Sequence, residues 1–175
     1  MAGVAVSEPP ILRFRVSGLP VTQGSKRAVL RGKRAGLIDS NDARLRPWRD
    51  AVRWTAHATA GISWQPIAGP VRVLLLFGLR RPAAAPKTRR TWPIGAKSGD
   101  VDKLTRACLD AMTDAGIWRD DSQVVDARAI KDYPDALGML APGVTIAVWR
   151  VDGPAPPSTG QIPLLPQPNQ ETETA

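Results

Sequence analysis

The sequence predicts an α+β fold, a single domain with a mixed β-sheet and two main helices in the order βββαβαββ. Three observations predict it. Short segments alternate apolar and polar residues, two longer ones repeat apolar residues at helical spacing, and glycine- or proline-containing turns divide them.

Residues 11–16 read I-L-R-F-R-V, with Leu12, Phe14 and Val16 on one face and Arg13 and Arg15 on the other, a half-buried strand. Residues 28–39 read as two short strands around a glycine-containing turn. Ser40 to Asp42 offer N-cap side chains, and Leu45, Trp48, Val52, Thr55 and Thr59 then recur as a helix reaching about Ala60. Residues 71–79 form a buried strand. Residues 101–114 form a second helix whose stripe is Leu104, Ala107, Cys108, Ala111, Met112 and Ala115. Residues 123–131 and 143–151 complete the sheet, with both helices expected on one of its faces. The folded domain is expected at 11–151, after a flexible leader at 1–10. The proline-rich stretch 152–175 is expected to be a disordered tail, because proline fixes φ and removes backbone donors.

Composition narrows the function. Across 175 residues, 24 Lys and Arg against 16 Asp and Glu give +8, an excess that attracts polyanions, nucleic acid being the commonest. Cys108 is the only cysteine, so no intrachain disulfide can form and a reducing compartment is expected. Charges interrupt every apolar run near the start, and 71–79 is too short for a bilayer, so a soluble, cytoplasmic protein without a membrane partner is expected. One histidine and one cysteine leave zinc fingers and histidine-metal nucleases without ligands. His57 lies in the first helix with nothing special around it and reads as a surface residue. G-L-P-V-T-Q-G-S-K lacks the spacing of a P-loop.

The informative stretch is Gly99 to Asp126. Asp100 and Asp102 stand two apart ahead of the second helix, so in an extended entry both carboxylates face one side. A hard cation such as Mg²⁺ takes such oxygen ligands together with water and a substrate phosphate. Arg106 lies one turn along from Asp102, placed to hold that phosphate. Asp120 and Asp121 follow the A-G-I-W turn; if the next strand returns beside the helix start, Asp121 joins the pair, and a cation relieves the repulsion among three carboxylates. Structural readings stand beside this one. Acids at a helix start complement its dipole, Asp120 and Asp121 suit a turn, and Asp110 stands at pairing distance, i+4, from Arg106.

Basic residues flank the stretch. Arg80, Arg81, Lys87, Arg89, Arg90 and Lys97 occur with no acid among them, in a proline-rich loop that also holds Trp92. Such a loop suits phosphate tracking, with the indole available to stack on an unpaired base. Lys26 and Arg27 begin a second cluster, continued by Arg31, Lys33 and Arg34, around the first hairpin.

The run G-D-V-D-K-L-T-R-A-C-L-D-A-M, followed by G-I-W-R-D-D-S-Q-V-V-D and a lysine, resembles the signature of RusA-family Holliday junction resolvases. The early G-L-P-V-T-Q-G-S-K-R and the order of elements are similar too. The resemblance covers roughly 12–150 and is sharp over 99–131. It implies that Asp100, Asp102 and Asp121 bind Mg²⁺, with Mn²⁺ as a substitute. It implies that Arg106 stands at the family's catalytic lysine, and that Lys131 matches a lysine contacting phosphate. Lys103 replaces the family's usual asparagine, adding a positive charge that bears on metal affinity or on DNA contact. The implied activity is paired nicking of four-way junctions during DNA recombination and repair, by in-line attack of metal-activated water on a phosphodiester. The implied assembly is a homodimer matching the junction's two-fold symmetry. The departures at Lys103 and Arg106 suggest an alternative, a non-catalytic protein that binds branched DNA on the same scaffold. The organisation also suits a phage or prophage protein.

Overall fold

Alternating apolar residues build the sheet and helical stripes cover it. The computed structural model describes residues 9–24, 26–31, 34–39, 42–86, 88–95 and 98–151, and of residues 26–31, 34–39 and 42 the backbone alone. Residues 1–8 of the expected leader, the tail 152–175, Lys87, Lys97 and the side chains of Lys26 and Arg27 lie outside the described residues. The elements are β1 (Leu12–Ser17), β2 (Lys26–Arg31), β3 (Arg34–Asp39), α1 (Asp42–Ala60), β4 (Val71–Gly78), α2 (Val101–Asp114), β5 (Val124–Asp132) and β6 (Gly143–Arg150). This is the expected βββαβαββ order.

Four strands form one mixed sheet in the order β1-β6-β4-β5, while β2 and β3 pair as a separate hairpin. The β1–β6 and β6–β4 pairs are antiparallel and β4–β5 is parallel. Phe14, Val73, Leu75, Phe77, Ile146 and Val148 pack against Leu45, Trp48, Val52 and Ala56 of α1 and Leu104, Ala107, Cys108, Ala111 and Met112 of α2. Full burial of each large apolar side chain contributes about 1.5–3 kcal/mol. Gly143 is required where β6 meets β1, because a Cβ there would lie 2.2 Å from the Val16 carbonyl oxygen.

The parallel pair positions the site. Parallel neighbours need a crossover, and here α2 supplies it, running back along the sheet against the direction of β4 and β5. The start of β5 therefore follows the end of α2, and the end of β5 returns to the beginning of α2. Lys131 near the end of β5 marks this return, its Nζ donating to the Gly99 carbonyl at 2.6 Å. β5 is an edge strand of the sheet, with a register shift between Val71 and Arg72 that leaves Val125 as an extra, exposed residue.

Candidate functional site

Gly99 turns the chain into α2 with φ at +75°, a conformation that side-chain-bearing residues rarely adopt. Asp100 is the N-cap residue in extended conformation, yet its side chain makes no capping hydrogen bond. Its carboxylate instead meets Lys103 Nζ at 2.8 Å. That hydrogen bond and the charge behind it hold Asp100 below the ordinary carboxylate value and raise Lys103. Asp102 lies exposed in the first turn, and Arg106, also exposed, follows one turn later. Lys131 Nζ reaches Ser98 Oγ at 3.3 Å besides the Gly99 carbonyl. Four of the expected site residues, Asp100, Asp102, Lys103 and Lys131, thus gather at one end of the sheet, with Arg106 next along the helix.

Gln23 ties a distant segment to this end. Its backbone N–H donates to the Lys103 carbonyl at 3.1 Å and its side-chain amide to Asp110 at 2.8 Å. Asp110 is also 3.8 Å from Arg49, so its partners come from outside α2 rather than from Arg106. Sequence reasoning passed over Gln23 and Ser98; the early V-T-Q-G-S-K run carried the signal for the former.

Asp121 does not join the acidic pair. It opens a short 3₁₀ turn, Asp121–Gln123, at the start of β5. In that turn Asp120 accepts from the Ser122 N–H at 2.8 Å, and Gln123 Oε1 accepts from the Asp120 N–H at 3.2 Å. Hydrogen bonding from the Ser122 side chain, and then from its N–H, lowers the Asp120 pKa. Gln123 Nε2 fastens the turn to the Ile67 and Gly69 carbonyls at 2.8 and 2.9 Å, ahead of β4. The strand from Val124 to Lys131 separates Asp121 from the Asp100 end by roughly 23 Å at ~3.3 Å per residue. The expected convergence fails for a topological reason. A strand that follows a helix starts beside the helix end, and only the strand's far end comes back. Among the described residues, no group of three or more His, Cys, Asp or Glu side chains is placed to hold a metal ion. One chain alone does not present the expected three-carboxylate donor set.

The basic loop adjoins the Asp100 end, since Leu79 N–H bonds the Asp132 carbonyl at 2.8 Å. Its cations are not equivalent. Arg81 bonds Asp135 at 3.0 Å and lies 4.2 Å from the Tyr133 ring centroid. Arg90 bonds Asp132 and lies 4.9 Å from the centroid of Trp92, which is 56% exposed. Burial would raise the Asp132 pKa, but hydrogen bonds from Arg90 and the Tyr133 N–H, with both nearby arginines, leave it lowered. Arg80 and Arg89 are exposed, without an ion pair among the described residues. An open cleft of about 700 Å³ lies between Arg81, Thr88, Arg89, Arg90, Asp135 and Ala136. A second groove of about 370 Å³ brings Arg44 and Arg80 to Ser98 and Gly99. The acids that tether the loop, Asp132 and Asp135, stand 42 and 54 residues from Arg90 and Arg81 in sequence, so no local pattern announced them.

Comparison with known proteins places this geometry in a family. A stretch of 32 residues is 56% identical to the crossover junction endodeoxyribonuclease RusA of Escherichia coli strain K12, of Shigella sonnei and of Enterobacteria phage 82. That stretch is 18% of this chain and covers about a quarter, 27%, of the length of each of these curated relatives. The model of the family described as Endodeoxyribonuclease RusA matches far more, residues 18–148, from the end of β1 into β6. With that match across the sheet, both helices and the acidic start of α2, the chain belongs to the RusA endodeoxyribonuclease family.

Proposed function

We propose that this protein is a structure-selective endodeoxyribonuclease that resolves four-way DNA junctions by paired nicks in recombination and repair, acting as a homodimer in the cytoplasm. The observation that carries the reading is one placement: the family's Asp-x-Asp helix start faces the same end of the sheet as Lys131, Arg80 and Arg89. Acids for a cation and bases for phosphates need to share a surface if a phosphodiester is to be cut there. No described helix is long and apolar enough to cross a membrane.

The chain's own groups divide the work. Lys131, held by the Gly99 carbonyl, presents a fixed positive charge beside the acidic pair. Arg106 offers a guanidinium fork to a phosphate, a permanent charge suited to clamping and unsuited to proton donation. Arg80 and Arg89 track the backbone, and Trp92 offers a stacking face. Mg²⁺, or Mn²⁺ in its place, is the proposed cofactor, supplying charge neutralisation and an activated water when bound. Asp100 and Asp102 are its proposed ligands here, with Asp121 able to contribute only from a second copy.

A second reading, branched-DNA binding without catalysis, is favoured by the Lys103–Asp100 ion pair, which occupies one of the two nearby carboxylates. Incubation with a synthetic four-way junction and Mg²⁺, beside linear duplex and a chelator control, separates the two. Symmetric nicks on the junction alone are expected. Binding without nicks would favour the second reading.

A further inference from the structure

We propose that the groove between residues 19–22 and the loop at 79–99 receives one unpaired nucleotide of the DNA, its base between the groove walls and its phosphate on Arg44 and Arg80. The proposal rests on the junction-endonuclease reading for its ligand, and on the structure for the site.

The groove opens directly beside the acidic start of α2. Gly99, which precedes Asp100, forms part of its floor, packed so closely on Thr22 that a Cβ at Gly99 would run into the Thr22 side chain. The far wall is fixed there as well, since the Gln23 N–H donates to the Lys103 carbonyl at 3.1 Å. The segment after β1 and the basic loop thus meet over the helix start, and the space left between them is about 370 Å³. Small-ligand sites run from roughly 300 to 1,000 Å³. The groove lies near the lower end, with room for a single nucleotide and none for a stacked base pair.

The lining sets the chemistry of the ligand. Leu19, Pro20, Leu79 and Pro93 supply apolar walls, and no acid lines the groove. Arg44 and Arg80 stand exposed at its margin with no ion pair among the described residues. A flat apolar body carrying negative charge fits such a lining, and a nucleotide has that form. The nearby hydroxyls are already committed as donors. Ser98 Oγ shares its proton between the Pro93 and Gly95 carbonyls at 2.7 and 2.6 Å, and the Tyr133 hydroxyl donates to the Trp92 carbonyl at 3.3 Å. The walls therefore hold a base by its faces, which every base has, and respond to an unpaired base rather than to a sequence.

This gives the site a use. A base in linear duplex must be unpaired and unstacked to enter, whereas bases beside a branch point are the least costly to extrude. Filling the groove next to Asp100 and Asp102 couples docking of the strand to the presence of a branch.

Junctions carrying the fluorescent base aminopurine at successive positions around the crossover test this, with the full chain in excess and a chelator present so that nothing is cut. Fluorescence is expected to rise several-fold at one position in the strand, where the base leaves the stack, and nowhere in linear duplex. Gly95 lines the groove and a Cβ there meets nothing within 4 Å, so Gly95→Phe fills the space without displacing a neighbour. It is expected to remove the rise. Leu19→Glu, at a position 56% exposed where folding is not at stake, sets a carboxylate at the mouth and is expected to do the same. With Mg²⁺ added, Gly95→Phe is expected to nick the intact junction about tenfold more slowly than the native chain. On a junction abasic at the brightened position the two are expected to nick at the same rate, a convergence that a folding defect would not give. No brightening on a junction that is cut overturns the groove and leaves the nuclease reading standing. So does brightening that survives both substitutions. Brightening that both substitutions remove, on a junction that the native chain never nicks, supports the groove and sinks the nuclease reading.

Discussion

Lys103 controls how much negative charge the start of α2 presents. Its ammonium shares Asp100, so a divalent ion must compete with a cation already tethered 2.8 Å away. Replacing it by the family's asparagine, Lys103→Asn, is expected to tighten Mg²⁺ binding several-fold in calorimetry; unchanged affinity would mean the ion pair is incidental. Asp100→Asn is expected to abolish nicking while junction affinity stays within about threefold, since it removes a proposed metal ligand and no phosphate contact. Asp132 has a different role, as the anchor of Arg90. Its pKa is lowered in the fold, so its stabilising effect is full above the unfolded value near 3.8 and fades as pH falls through the lowered folded value. Urea unfolding between pH 2 and 6 is expected to show a steeper acid loss in the native protein than in Asp132→Asn. Parallel curves would dismiss the coupling. At this scale the sequence made Asp100, Asp102 and the basic loop legible, because the residues sit close together in the chain. It hid Gln23, Asp132 and Asp135, whose partners are tens of residues away.

Among elements, the alternation of β1, β4 and β6 and the apolar stripe of α2 made order and type readable, since burial on one face imposes those periods. Direction across the sheet was not readable in the same way. The pattern of 124–132 says strand but not which end lies beside Gly99, and the misplacement of Asp121 followed from that. The pairing that settles it, β4 with β5 in parallel, depends on contacts more than fifty residues apart. Close strand contact also gives a sharp expectation. Gly143→Ala forces a methyl to within 2.2 Å of the Val16 carbonyl, so β6 must move away from β1. A loss of about 1–3 kcal/mol is expected in denaturant unfolding; a neutral result would show that the pair yields easily.

For the whole molecule, the net +8 is distributed unevenly between tethered and available charges. Arg81 and Arg90 already have carboxylate partners, whereas Arg89 has none among the described residues. Arg89→Ala is therefore expected to reduce the slope of log affinity against log salt by about one unit on junction DNA, and Arg90→Ala by less. Equal changes would place both side chains on phosphates despite the Asp132 tether. The pairing of β1 has a further consequence, for the timing of folding. Among the described residues β1 pairs with β6 alone, with Leu12 opposite Val148, so this early strand must wait for the last of the described ones. Ordering this sheet means closing a loop almost as long as the fold itself, a non-local step that slows folding relative to a sheet built from neighbouring hairpins. Until the ribosome has delivered Gly143–Arg150, β4 has no neighbour on that side, and a nascent chain stalled before that point exposes the apolar strands that chaperones recognise.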